Sequence, residues 1–208
     1  MTLFYRAFKE RIEFIMPNDE NVCYSENPSV DVEAIAKTCG ITSINYVSPD
    51  YVSPSGSSNR HAMLKDTEID VNKQNSKEKQ RFAIAHEIFH FLKRNTGDEN
   101  NLMQAVARQG ETWKKNNAGT PEAIEENVAD YFAAVLLVPT ERFILWEDHA
   151  DEDIAKAFMV EPKCIKKRRK EVEYELGILS PKALSSGVRI EETTPLMLDK
   201  LNNIFGEG

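Results

Sequence analysis

The chain has 208 residues, 34 acidic against 26 basic side chains and a net charge of −8, with 41% hydrophobic and 29% charged residues. Length and composition fit an ordinary globular protein with one sizeable core, and the acidic balance argues against wholesale coating of nucleic acid. Three dispersed cysteines, Cys23, Cys39 and Cys164, exclude a disulfide framework or a cysteine-rich metal site and read as reduced thiols.

In chain order, residues 3–16 read as an amphipathic helix that stops before Pro17. Its charges interrupt the apolar middle that a secretory signal needs, and the longest apolar run of the chain, FAAVLLV, is far too short to cross a bilayer. The expected location is cytoplasmic, with no membrane partner. VDVEAIAKTCG puts Val32, Ile35, Ala36 and Cys39 on one helix face, with Gly40 as its stop. The period then changes. ITSINYV sets Ile44 and Tyr46 against Ser43 and Asn45, the alternation of a half-buried strand. VSPDYVSPSGSSNR reads as a loop. A strand around 60–64 follows, then a clearer one, TEIDVN, with Ile69 and Val71 inward and Glu68, Asp70 and Asn72 outward.

Ser76 caps the next helix, which carries RFAIAHEIFHFLKR. DENNLMQAVARQG predicts a helix closed by Gly110, and ETWKKNNAGT a polar connection. Thr120 and Pro121 then give the cap and first residue of PEAIEENVADYFAAVLLV, which must stop before Pro139. DIAKAF, PKCIKKRRKEVEYEL and PLMLDKLNNIF make the remainder mostly helical.

The capped helix is apolar on nearly every side of its two histidines, so it is expected to be buried. Burying two imidazoles and a carboxylate is costly unless something satisfies them. His86 and His90, four apart, project from one face and can present two nitrogens to one ion. Glu87 lies about 100° round the helix, beside the ion, where it can take a proton from a water the metal has acidified. A catalytic metal needs a third protein ligand. PEAIEENVADYFAAVLLV offers Glu126, with Asp130 one turn on to hold a ligating histidine by its other ring nitrogen. Glu125 is the rival ligand. The helix dipole explains acids in the first turn but not Asp130 inside an apolar run.

A strand ending IDVN, then RFAIAHEIFHFL, then EENVADYFAAVLLVP resembles the ImmA/IrrE family of metallopeptidases over roughly residues 31–140. The resemblance implies an α+β, compact zincin-like fold, with a small sheet packed on the HExxH helix and a mostly helical C-terminal part. It implies a metallopeptidase domain at 1–145 and a helical region with a helix-turn-helix-like segment at 146–208. It assigns His86, His90 and Glu126 as metal ligands and Glu87 as the catalytic acid/base. Zinc suits that donor set, with manganese as the alternative. The implied substrate is a protein, a helix-turn-helix transcriptional repressor, whose cleavage releases mobile-element or stress-response genes. One residue departs from the pattern: Phe89 stands where the family often has Gly, and a ring there is expected to narrow the cleft or shift a helix.

TEIDVN is placed to pair with an extended substrate, and Tyr131, His61, Tyr46 and Tyr51 are the candidate donors to the reacting oxygen. Specificity is expected from 95–119 and the tail. There, Lys163, Lys166, Lys167, Arg168, Arg169 and Lys170 form a basic run that would pack as a solvated face or contact a protein partner or DNA.

Overall fold

The computed structural model describes residues 28–52, 60–95 and 121–175. The helices expected at 3–16, in DENNLMQAVARQG and in PLMLDKLNNIF, together with Cys23, lie outside the described residues, as does 96–119 of the stretch expected to set specificity. The described elements are α1 (Val32–Thr38), β1 (Ser43–Val47), α2 (Pro49–Val52), β2 (Ala62–Lys65), β3 (Glu68–Asn72), α3 (Lys77–Asn95), α4 (Pro121–Leu137), α5 (Thr140–Ile144), α6 (Asp151–Phe158) and α7 (Pro162–Glu175). The fold is α+β, a small sheet packed on α3 with helices making up the rest.

Local chemistry explains the boundaries. Asp31 caps α1 by accepting from the backbone N–H groups of Glu33 and Ala34. Gly40 follows that helix with φ 103°, a conformation glycine enters without a Cβ penalty. Ser76 Oγ accepts from Lys79 N at 3.3 Å and its carbonyl from Gln80 N at 2.9 Å, opening α3. Pro139 cannot continue α4, and its carbonyl starts α5 by accepting from Phe143 N. The loop VSPDYV holds one helical turn, α2, that its Ser/Pro content hid.

The sheet order is β1-β3-β2, with β1 parallel and β2 antiparallel to β3. TEIDVN is therefore the central strand. Its hydrogen-bonding edges are both taken, and the expectation that it pairs with substrate is corrected: among the described residues the free edges belong to β1 and β2. Ile44, Ile69, Val71, Ala62 and Leu64 share one face by register. Among them Ile69, Val71 and Ala62 are buried with Ala83, Ile84, Ala85 and Ile88 of α3 in a single cluster. The opposite face is polar, with Asp70 bonded by Asn45 and Lys65.

The same cluster takes in α4, α6 and α7 through Phe132, Leu136, Ile154, Phe158, Ile165 and Val172. The turn between α6 and α7 begins at Met159, left-handed at φ 55°. Arg168 does not belong to an exposed basic face. It is wholly buried, with Nε donating to Val138 O at 2.9 Å, Nη2 to Thr140 Oγ1 at 2.7 Å, and Nη1 3.6 Å from Glu171 Oε2. Ile165, Arg168 and Val172 fall on one helical face, so the inward side of α7 runs through the basic stretch. Arg169 is half-buried and donates to Asp151 and to Glu147 O. Lys166 and Lys167 remain exposed.

Candidate metal centre

α3 and α4 pack side by side. The polar stripe of each helix therefore meets the other at one place. His86 Nε2 lies 3.1 Å from Glu126 Oε2, His90 Nε2 lies 3.5 Å from Glu126 Oε1, and the two Nε2 atoms are 3.1 Å apart. Each ring is held from behind: His86 Nδ1 is 3.0 Å from Asp130 Oδ1, and His90 Nδ1 is 3.1 Å from Glu125 Oε1.

Those outer bonds decide what the inner atoms are. A carboxylate accepts, so in the neutral imidazole that a metal requires each Nδ1 carries the proton and donates, which leaves each Nε2 a bare lone pair. Two lone pairs and a carboxylate then converge with no donor among them, an arrangement that repels itself unless a cation sits between. The spacing fits one. Bonds of about 2.0–2.1 Å at tetrahedral angles place ligand atoms about 3.3–3.4 Å apart. His86, His90 and Glu126 can therefore hold a metal ion, with one position open.

Glu87 stands next to this set, with the backbone N–H of Leu64 near enough to draw its pKa down. Strand register explains why that N–H is available. Asn72 N donates to His61 O, so His61 and Asn72 are a hydrogen-bonded pair, and alternation makes Leu64–Ile69 and Ala62–Val71 the non-bonded pairs. The N–H and C=O groups of Leu64 and Ala62 point away from β3, off the edge of the sheet.

The electrostatics match the crowding of acids. Burial pushes the Glu87 carboxyl above the usual range. His86, His90 and the Leu64 N–H pull it back, while Glu126 adds to the rise. For His86, burial lowers the pKa, but the hydrogen bond and charge of Asp130, with Glu87 and Glu126, outweigh it and the net shift is upward. For Glu125, burial raises the pKa, yet Lys93 and His90 overcome it and hold the carboxyl below its ordinary value.

These residues lie in a cleft of about 670 Å³, floored by Phe82, His86 and His90 of α3 and walled by Ala62 and Leu64 of β2. Of the four candidate donors only His61 borders it. Tyr131 is buried beneath Arg168, Tyr46 donates to Glu33 Oε1 at 2.5 Å, and Tyr51 is exposed outside the cleft lining. Phe89 points into the core, edge-on to His90 and 5.7 Å from the Phe132 ring, and does not line the cleft. The bracing role of Glu125 escaped the sequence because its partners are on another helix. Lys93, three residues after His90 on α3, was the available hint.

The family model for M78 peptidases, described as an IrrE N-terminal-like domain, matches residues 52–170. No curated protein and no solved structure matches the chain.

Proposed function

We propose that this chain, which belongs to the M78 peptidase family, is a zinc-dependent endopeptidase that cuts a specific protein in the cytoplasm. The observation that carries the reading is the convergence of His86 Nε2 and His90 Nε2, 3.1 Å apart, on the Glu126 carboxylate, whose Oε2 lies 3.1 Å from the first and Oε1 3.5 Å from the second, each histidine fixed from behind by a carboxylate. Zinc held there supplies Lewis acidity, making water a nucleophile near neutral pH and polarising a carbonyl; manganese is the second choice for this donor set.

The chain's own residues do the rest. Glu87, with its carboxyl raised by burial, takes the attacking water's proton and returns it to the leaving nitrogen. The outer edge of β2, free among the described residues, offers the carbonyls of Ala62 and Leu64 and the N–H of Ala62 to an extended peptide, adding it as a strand. His61 is the candidate donor toward the substrate oxygen, since Asn75 Nδ2, 3.2 Å from its Nδ1, leaves the proton on Nε2. The ImmA/IrrE resemblance supports a helix-turn-helix repressor as substrate. Free Cys39 and Cys164 fit a reducing compartment, and no helix among the described residues is long and apolar enough to cross a membrane.

A non-catalytic regulatory module with a structural metal, acting as a repressor or toxin–antitoxin partner or binding DNA through α7, is the rival. Of the residues singled out for such contact, Arg168 is inside the fold and Arg169 is tied to Asp151, which leaves the exposed Lys163, Lys166, Lys167 and Lys170.

The deciding experiment labels new protein N-termini in cells that express the parent or Glu87→Gln. A short list of proteins cut only by the parent, repressors among them, is the expected result. Identical N-termini in both would end the peptidase reading.

A further inference from the structure

Glu125 makes a bond that proton transfer and metal binding do not require. Its Oε1 faces His90 Nδ1 at 3.1 Å, while its Oε2 accepts from Lys93 Nζ at 2.6 Å. Lys93 follows His90 by three residues, hence on the same side of α3. Both partners are shielded, their side chains only 22% and 25% exposed. Glu126, the next residue along, is the opposite case. Its side chain is 62% exposed, and among the described residues its only recorded hydrogen-bond or ion-pair partners are the two histidine nitrogens. A long carboxylate with so little support has its direction set by the helical turn that carries it. Glu125 ties that turn to α3 at two atoms.

We propose that Lys93 and Glu125 are a positioning pair for the metal centre. Lys93 orients Glu125. Glu125 then holds His90 with its proton on Nδ1 and anchors the turn of α4 that presents Glu126. The inference rests on the metal-centre reading and adds two residues to it that touch neither metal nor substrate.

The sign of one effect separates positioning from plain electrostatics. Lys93 is a cation beside a cation site. If only its charge mattered, its removal would leave a more negative site and tighter metal binding. As a positioning residue, its removal weakens binding.

The test is competition for zinc between the purified full chain and a chromophoric chelator, using the parent, Lys93→Met, Lys93→Arg, Glu125→Gln and Glu126→Ala. Lys93→Met and Glu125→Gln should each weaken binding by about 10–100-fold, and Lys93→Arg should restore most of it. The visible absorption of cobalt in the site should change in Lys93→Met, reporting altered ligand geometry. In a Glu126→Ala background the Lys93→Met effect should shrink, because part of it acts through Glu126. Unchanged or tighter zinc binding by Lys93→Met, with the parent binding and Glu126→Ala impaired, overturns the pair and spares the metal centre. No zinc bound by the parent overturns both. Should Lys93→Met fail to fold by circular dichroism, Glu125→Gln, which keeps size and an acceptor oxygen, decides.

Discussion

The outward-facing backbone N–H of Leu64 lies beside the Glu87 carboxyl and draws its pKa down, so the edge of β2 reaches the residue proposed to take the proton. Glutamine has the same size and can face the same N–H with its amide oxygen, so the substitution should disturb the fold little. Glu87→Gln should therefore keep its metal and melt within about 1 kcal/mol of the parent, while hydrolysis falls at least 10²–10⁴-fold, about the worth of a general base. Metal analysis, denaturant melts and turnover check this together. Loss of metal along with activity would mean that Glu87 has been given the wrong role.

Asp130 and Glu126 stand one helical turn apart on α4 and face the same ring, yet their removal should differ in degree. Asp130→Asn leaves a hydrogen-bond partner for His86 Nδ1 but removes its charge, and zinc affinity should drop by about 10–100-fold. Glu126→Ala deletes an inner ligand and should cost more. Chelator competition on the two variants gives the order; the reverse order would exchange their assignments.

Neighbouring basic residues on α7 should respond very differently to the same substitution. Arg168→Ala takes one donor each from Val138 O and Thr140 Oγ1 and removes the Arg168 charge from beside the buried Glu171, which keeps Lys167 at 3.7 Å, at a cost of about 3–5 kcal/mol. Lys166→Ala, on the exposed side, should stay within about 0.5 kcal/mol. Urea unfolding of both variants checks it, and a mild Arg168→Ala would return that residue to the surface.

What the sequence revealed and hid follows from range. Periodicity and caps are local, so α1, β1, β3, α3 and the α6–α7 pair could be read from Asp31, Ser76, Gly40 and the alternation around Ile44 and Ile69. The two histidines could be read for the same reason, since their spacing is a property of one helix. Strand order is not local: nothing in TEIDVN says that β1 and β2 flank it. Arg168 was hidden inside a run of five basic residues whose inward member only the Ile165–Val172 face identifies. Glu125 looked like a spare ligand because its partners, His90 and Lys93, lie more than thirty positions earlier.

Tyr46 supplies a pH test away from the metal. Burial, then the hydrogen bond and charge of Glu33, push its phenol up to about 12, against a pull downward from Arg81. The unfolded phenol titrates near 10, so the folded chain keeps its proton longer. The stabilisation is complete below about pH 10 and is lost as pH rises through about 12, where the folded state also ionises. Ultraviolet titration of the parent against Tyr46→Phe should show one phenol with a midpoint near 12. A midpoint near 10 would mean that the Glu33 contact does not persist in solution.

Arg81, one turn before the metal face of α3, donates to Ser29 Oγ, to Val30 O and to Met159 O. The helix is thus moored to segments far before and far after it in the chain. During synthesis, at about 5–20 residues per second, His86 and His90 leave the ribosome seconds ahead of Glu126, and later still comes the carbonyl of Met159. A newly made chain carries half a metal site with nothing to finish it. On the proposed reading, metal capture is a late event, a seal set on a molecule whose distant parts have already found one another, and a chain cut short in translation would carry its histidines without the carboxylate that completes the set.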